Sequence, residues 1–418
     1  MYRSYCQRSL TGLGLAAALL LAGCDSPAAT GPLGDAAGDP LPTALARSDA
    51  APASGDAMFR VYNRNVFLGG DTGPLFTLFA PPNEPTIEDL IAAATVFWGE
   101  VKASRTMERA GAIADEIARR RPQVVTLQEV ASYWIVEAGP ETPPHVVDGD
   151  DMLYALQAAM ADRGLDYQLV ERPLTFDGGF PLGPPFGVGP QGNPLFTKVM
   201  AVQAGEATFV RGDVELVGHD SDHYAAALPL GPLTLHRNWT RVSVQHQGVP
   251  HHVLNTHLEI QSIVIPGPDV QMNLVQGMEL MAVADGLEGV TIVTGDLNSD
   301  AEAGPGAPSW TPTYGMFKNA GWVDAWEQAV GSHGIGYTCC WDPDLASGML
   351  DERIDFFLVR APDAAGPRGG DRPFAGAVQM SILGDEADEM VPGYGLFPGD
   401  HAGIYLALNL PRGRMMGY

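Results

Sequence analysis

The stretch Val290-Thr291-Ile292-Val293-Thr294-Gly295-Asp296-Leu297-Asn298-Ser299 carries two messages. Its first residues are all apolar or β-branched, the mark of a short buried strand. That strand then ends in a glycine, a carboxylate and an amide. The pattern recurs outward in both directions. Val253-Leu254-Asn255-Thr256 ends in His257, and Val124-Val125-Thr126-Leu127-Gln128 ends in Glu129. Val61-Tyr62 leads to Asn63 and Asn65. Asp355 lies within Arg353-Ile354-Asp355-Phe356-Phe357, and Asp400-His401 opens an apolar run over 402–408. In layered α/β folds, polar groups at strand ends can meet in one crevice.

The remaining elements fill in around these strands. The spacing predicts a strand over 58–68 and helices near 87–96, 105–121, 152–161 and 271–286, with Pro122 stopping the second. Residues 239–245 and 251–256 alternate about Gln247-Gly248 as a hairpin. Residues 139–150 read as a turn region and 172–197, rich in Gly and Pro, as a long loop. There is no internal repeat. Strands and helices mix without strict βαβ alternation, which favours a mixed α/β sheet over a purely parallel one.

The polar set is chemically coherent. Glu129, Asp296 and Asp400 are hard oxygen ligands, and Asn65 and Asn298 add amide groups; the mixture suits Mg²⁺ or Mn²⁺ rather than zinc. His257 and His401 can carry or give protons near neutral pH. A cation, a carboxylate base and imidazoles are what hydrolysis of a phosphoester requires. Asp355, flanked by apolar residues, reads as buried and in need of a partner, with His401 the candidate and Arg353 the alternative.

The ordered series Tyr62-Asn63-Arg64-Asn65-Val66, Leu127-Gln128-Glu129-Val130, Asn255-Thr256-His257-Leu258, Gly295-Asp296-Leu297-Asn298-Ser299, Arg353-Ile354-Asp355-Phe356 and Gly399-Asp400-His401 resembles the endonuclease/exonuclease/phosphatase superfamily, the deoxyribonuclease-I-like phosphoesterases. The resemblance implies a four-layer α/β/β/α sandwich with two mixed sheets packed face to face. It implies Glu129 as the main metal ligand with Asn65 and Asp400 close by. It implies Asp296 to orient or deprotonate water, Asn298 to bind phosphate or position Asp296, and His257 to contact phosphate. Asp355 would hold His401. Asn65 is taken over Asn63 because Val66-Phe67-Leu68-Gly69 continues as the family motif does. The chain is longer than a minimal member, with its surplus in 71–104, 139–150 and 172–236.

Residues 1–23 have the form of a secretory signal, and Leu21-Ala22-Gly23-Cys24 resembles the lipobox of bacterial lipoproteins. The expected organisation is a signal peptide over 1–23, a disordered Ala/Gly/Asp/Pro-rich tether over 24–57 and a catalytic domain over 58–418. Localisation would be the bacterial cell envelope, extracytoplasmic, with the membrane reached by a lipid on Cys24. The chain has 418 residues and a net charge of −26, which removes any global attraction for nucleic acid. Its four cysteines exclude a disulfide scaffold.

Cys339-Cys340 is open between a disulfide and two thiols. The His219-Asp220-Ser221-Asp222-His223 run is read as a polar loop, with a second metal the alternative. His246, His251 and His252 are expected in solvent. The apolar stretches 75–79 and 180–188 are expected to pack on the domain, with lipid contact the alternative.

The expected function is a Mg²⁺-dependent phosphodiesterase acting as a monomer on a phosphoester substrate, with no protein partner. The alternatives are a nuclease, a sphingomyelinase-like lipid phosphodiesterase, and a binding lipoprotein on a degenerate scaffold.

Overall fold

Period-two alternation sorts the first two strands of the described chain between two environments. In Phe59–Asn65 (β1), Phe59 and Val61 face one core and Tyr62 the other. In Val124–Glu137 (β2), Val124 faces the first core and Val125 the second. These strands run parallel at the centre of an eight-stranded sheet. The protein is described by a computed structural model for residues 58–409, apart from 80–82, 231–232, 266–268, 332–333 and 362–376. The expected signal segment 1–23, the tether 24–57 and Cys24 lie outside the described residues.

The larger sheet has the order β21 (Ala377–Leu383), β22 (Gly403–Asn409), β1, β2, β8 (Lys198–Arg211), β4 (Tyr167–Glu171). β3 (His145–Asp151) extends it alongside β2, and β5 (Leu174–Pro181) alongside β8. The second sheet has the order β17 (Val323–Asp324), β20 (Asp355–Arg360), β16 (Val290–Asp296), β13 (Val249–His257), β12 (Asn238–His246), β9 (Leu216–His223). β1 with β2 and β13 with β16 are parallel; the other pairs in the two sheets are antiparallel. Both sheets are therefore mixed. Small two-stranded ribbons pair β6 (Pro185–Val188) with β7 (Pro194–Phe196), β10 (Leu228–Leu230) with β11 (Leu233–Leu235), β14 (Val264–Ile265) with β15 (Val270–Gln271), and β18 (Cys339–Trp341) with β19 (Gly348–Glu352).

The sheets pack face to face. Phe59, Val61 and Leu406 of the first share one buried cluster with Val253, Ile292 and Phe357 of the second. Helices α3 (Thr106–Arg120) and α4 (Met152–Asp162) cover the outer side of the first, where Ile113, Ile117 and Leu156 meet Val125 and Phe209. Helices α5 (Met272–Ala284) and α6 (Thr313–Asn319) cover the second, where Leu280 and Phe317 meet Leu254 and Val293. This is the expected four-layer α/β/β/α sandwich. Burial of one face per strand and one stripe per helix accounts for it. The short helix α7 (Ala325–Val330) follows β17.

A third apolar cluster lies beneath the chain's surplus segments. Helices α1 (Gly73–Phe79) and α2 (Ile87–Ala103) contribute Leu75, Phe79, Phe97 and Val101, which pack with Tyr133, Phe180 and Met200. The stretches 75–79 and 180–188 thus pack on the domain through Leu75, Phe79 and Phe180, although Val188 stays exposed. Thr86 and Asp89 close a capping box at the start of α2, which runs beyond the expected 87–96. No helix of the described residues is long and apolar enough to cross a membrane.

Expectations for four other segments need correction. Residues 172–197 are the strands β5, β6 and β7, because β5 and β8 supply each other's ladder partners despite the Gly and Pro content. Residues 145–150 belong to β3, which is held against the long second half of β2. The 219–223 run is part of strand β9, where His219 pairs with Glu171, so it is not a loop. His251 and His252 are buried, not solvated.

His251 lies 4.5 Å from the Phe59 ring, and burial pushes its imidazole down to about 4. A histidine that is neutral when folded, but free to protonate when unfolded, stabilises fully above about pH 6.5. That contribution, of the order of 3 kcal/mol, is lost as the pH falls from 6.5 towards 4. Urea unfolding across this range should show His251→Leu losing less stability on acidification than the parent. Equal slopes would refute the assignment.

Candidate active site

Strand direction explains why the polar residues meet. The carboxyl ends of parallel β1 and β2 lie together, with Asn65 opposite Gln128. Those of β13 and β16 do the same, with His257 opposite Asp296. Asp355 opens antiparallel β20 opposite Asp296, and Asp400-His401 leads into β22, antiparallel to β1. An antiparallel strand that starts at this end delivers its first residues to the same place. Gly295 makes the β13–β16 approach possible: its φ is +132°, and a Cβ there would lie 1.9 Å from the Thr256 carbonyl oxygen.

Asp296 is the hub. Its Oδ1 accepts from the Asn298 backbone N–H at 2.9 Å. Its Oδ2 faces three nitrogens: Asn65 Nδ2 at 3.3 Å, His257 Nε2 at 3.4 Å and His401 Nε2 at 3.8 Å. The imidazole separations exceed normal hydrogen-bonding length, so both Nε2 atoms keep their hydrogen-bonding capacity for a group that enters beside Asp296. His401 Nδ1 lies 2.8 Å from Asp355 Oδ2, so Asp355 partners His401. Arg353 is engaged instead by Asp324 at 2.6 Å and Glu302 at 3.0 Å. The Asn298 amide turns away and donates to the Leu258 carbonyl at 2.9 Å, which makes it a positioner of the Asp296 loop.

The two asparagines of β1 separate by depth. Asn63 belongs to a polar network between the sheets: its Oδ1 accepts from Thr126 at 2.9 Å and from Gln128 at 2.8 Å, and Gln128 also donates to Asn255. Asn65, two residues further, reaches Asp296, and its Oδ1 takes the Phe67 N–H at 3.1 Å. Glu129 does not end its strand as expected. It sits where the β2–β8 register slips, at φ +58°, and β2 continues to Glu137. A bulge re-aims a side chain without ending the sheet. Glu129 Oε2 accepts the Leu68 N–H at 2.9 Å.

Burial sets the electrostatics. It pushes Asp296 up to about 7, with His401 opposing and Asp355 and Glu129 adding to the rise. Burial likewise lifts Asp400 to about 7, opposed by His401 and reinforced by Glu129. It holds His257 well below its usual range, aided by Arg237 and His401. Burial also works against charged His401, but Asp355, Asp400 and Asp296 outweigh it and hold that imidazole well above the usual range. The two histidines therefore differ in kind, one neutral and one cationic.

These residues fit a hard cation. Asp400 Oδ1 is buried without a hydrogen-bond partner among the described residues. Glu129 raises the cost of ionising Asp400, which a cation would relieve. Glu129, Asp296 and Asp400 do not close to within 4.8 Å of one another. A cation would thus be held by one or two carboxylates, an amide oxygen and water, the manner in which Mg²⁺ is usually bound.

Several contributors were not legible in the sequence. Arg237, just before β12, pairs with Glu259 at 3.1 Å and stands near His257 and Glu129. Arg109 of α3 donates to the carbonyls of Val66 at 2.7 Å and Pro398 at 3.2 Å, tying both site loops to one helix. Thr338 Oγ1 accepts from the N–H groups of Ile354 and Asp355. Arg109 lies within a helix, and Arg237 and Thr338 precede strands that no uninterrupted apolar run marks.

No protein-family model matches the chain, and no curated protein does. In fold it is similar to an endonuclease/exonuclease/phosphatase family protein from Leptotrichia buccalis C-1013-b, at 13% identity and TM-score 0.47, over 84% of this chain and 99% of that one. It is similar to an endonuclease/exonuclease/phosphatase from Bacteroides vulgatus, at 16% identity and TM-score 0.45, over 85% and 99%. It is also similar to D. rerio TDP2 complexed with a single-strand DNA product, at 18% identity and TM-score 0.43, over 85% and 100%.

Proposed function

We propose that this chain is a divalent-cation-dependent phosphoesterase of the endonuclease/exonuclease/phosphatase family, hydrolysing a phosphodiester by attack of water. One observation carries the proposal: Asp296 Oδ2 is ringed by Asn65, His257 and His401 at 3.3–3.8 Å, near Glu129, with Asp400 next to His401 and Glu129. Glu129, with Asn65 and Asp400 beside it, would hold the cation, Mg²⁺ or Mn²⁺, which when bound offsets phosphate charge.

The chain's own groups supply the rest. Asp296, fixed by the Asn298 N–H, takes a proton from the attacking water through Oδ2. His401, kept cationic by Asp355, donates from Nε2 to the charge that develops on phosphate oxygens. His257, neutral, lines the opposite side and contacts the leaving oxygen. The binding-protein alternative has no use for this convergence.

Secretion and lipid anchoring belong to the same proposal, supported by Leu21-Ala22-Gly23-Cys24. Mass spectrometry of the envelope-expressed protein should find the chain starting at a diacylated Cys24.

The net charge of −26 speaks against a nucleic acid as the preferred substrate. Bis-p-nitrophenyl phosphate, plasmid DNA and a choline phospholipid, each with Mg²⁺ and with EDTA, test activity and class together. Hydrolysis should vanish with EDTA and return with Mg²⁺. Glu129→Gln should raise the Mg²⁺ concentration for half-maximal rate by about tenfold or more, since ligand charge sets affinity. Folded protein that cleaves none of the substrates would sink the proposal.

A further inference from the structure

Among the described residues, the trio of His, Cys, Asp or Glu side chains whose ligand atoms all lie within 4.8 Å of one another is Cys339, Cys340 and His401. It adjoins the oxygen site but differs from it in chemistry. Cys339 forms an antiparallel bridge to His401, Ala402 donates to the Thr338 carbonyl at 2.8 Å, and Trp341 to the Asp400 carbonyl at 2.8 Å. Backbone lacing thus holds the cysteines over the imidazole, with Cys340 Sγ 3.9 Å from His401 Nε2. The two sulfurs lie against each other, so the neighbours can join as a disulfide when oxidised. Cys339 is buried and Cys340 exposed, so a soluble reductant can reach the bond.

We propose that Cys339, Cys340 and His401 form a redox-gated soft-metal site, which takes a Zn²⁺-class cation when reduced and thereby shuts down hydrolysis. Thiolates and imidazole select Zn²⁺ or Cd²⁺ over Mg²⁺, whereas a disulfide offers no thiolate. The His401 ring is already set for the task. Its Nδ1 bonds the Asp355 carboxylate, the arrangement that orients metal-binding histidines, and Nε2 points to the sulfurs.

The chemistry balances. A dithiol reductant breaks the Cys339–Cys340 bond, gives the pair two electrons and two protons and becomes a disulfide itself. The cation then displaces the two thiol protons, and any proton on Nε2, to solvent. An ion on Nε2 occupies the nitrogen that would otherwise donate to phosphate, 3.8 Å from Asp296 Oδ2. Control of hydrolysis rests on the phosphoesterase proposal; metal binding does not.

The test uses the full chain with Cys6→Ser and Cys24→Ser, so that Cys339 and Cys340 supply every thiol. Disulfide and dithiothreitol-reduced forms, the latter freed of reductant and checked by thiol count, are titrated with Cd²⁺ in excess Mg²⁺. Thiolate-to-cadmium absorption and bis-p-nitrophenyl phosphate hydrolysis are followed together. In the reduced form one equivalent should saturate the band as hydrolysis falls about tenfold or more; the disulfide form should show neither change. Cys340→Ser should keep its Mg²⁺-dependent rate and bind Cd²⁺ at least about tenfold more weakly.

A reduced, folded protein with two free thiols and no band overturns the site. Equal inhibition of the disulfide form overturns the gating. A full band in a protein that hydrolyses nothing supports the metal site and counts against the phosphoesterase assignment alone.

Discussion

Asp296→Asn should lower kcat for phosphate-ester hydrolysis by about 10³-fold, the scale of a lost general base, with KM little changed. That is about 4 kcal/mol of transition-state stabilisation, at 1.36 kcal/mol per decade. The substitution is nearly isosteric. It keeps an oxygen to accept the Asn298 N–H and removes only the ability to take a proton. Asp296 is a buried carboxylate that burial already disfavours in its charged form, so the neutral amide should not unfold the chain. Circular dichroism and a urea midpoint at or above the parent's would document this. Retention of most of kcat in such a protein would remove Asp296 as the base and reassign the proton to His257 or His401.

The largest expected effect on stability comes from Glu116→Ala. Arg64, one residue before Asn65, is fully buried and gives Nη2 to Glu116 Oε1 at 3.1 Å and to the Leu383 carbonyl at 2.6 Å. Tyr62 donates to Glu116 Oε2 at 2.6 Å. Glu116 comes from α3, so the network ties that helix to β1 and to the last residue of β21. A guanidinium cannot shed its proton, so removing Glu116 leaves an uncompensated buried charge at a cost of about 3–5 kcal/mol. The urea midpoint should fall accordingly with the slope unchanged. Replacing both partners, Arg64→Met with Glu116→Leu, should recover most of the loss, because an apolar pair carries no desolvation penalty. A single variant as stable as the parent would show that the ion pair contributes nothing net.

Both predictions concern residues that the sequence treated very differently. Asp296 follows a β-branched run, Val290 to Thr294, and a single glycine, and its position could be read directly. Arg64 and Glu116 are far apart in the chain and lie in patterns that suit solvated charges equally well. Only the fold shows them facing each other with no water between.

Glu129 shows a middle case. Its place after an apolar run was legible, but the bulge that aims it was not, because a register slip belongs to the pairing of β2 with β8 rather than to either strand. The strands of 172–197 were missed for the same reason. Their glycines and prolines carry little propensity for a strand, and β8 supplies the ladder for β5.

By itself the sequence determined the apolar strands that carry the polar set, the main amphipathic helices and the donor chemistry of the polar residues. These depend on side-chain periodicity and type within a few neighbours. Tertiary structure alone decided which strands lie side by side, that Arg353 goes to Asp324 and that Cys339 and Cys340 lie over the His401 imidazole; it placed Asn65 against Asp296 and Asp355 against His401, pairings the sequence already favoured. These are contacts between distant parts of the chain. Burial and strand register choose among partners that local sequence leaves equivalent.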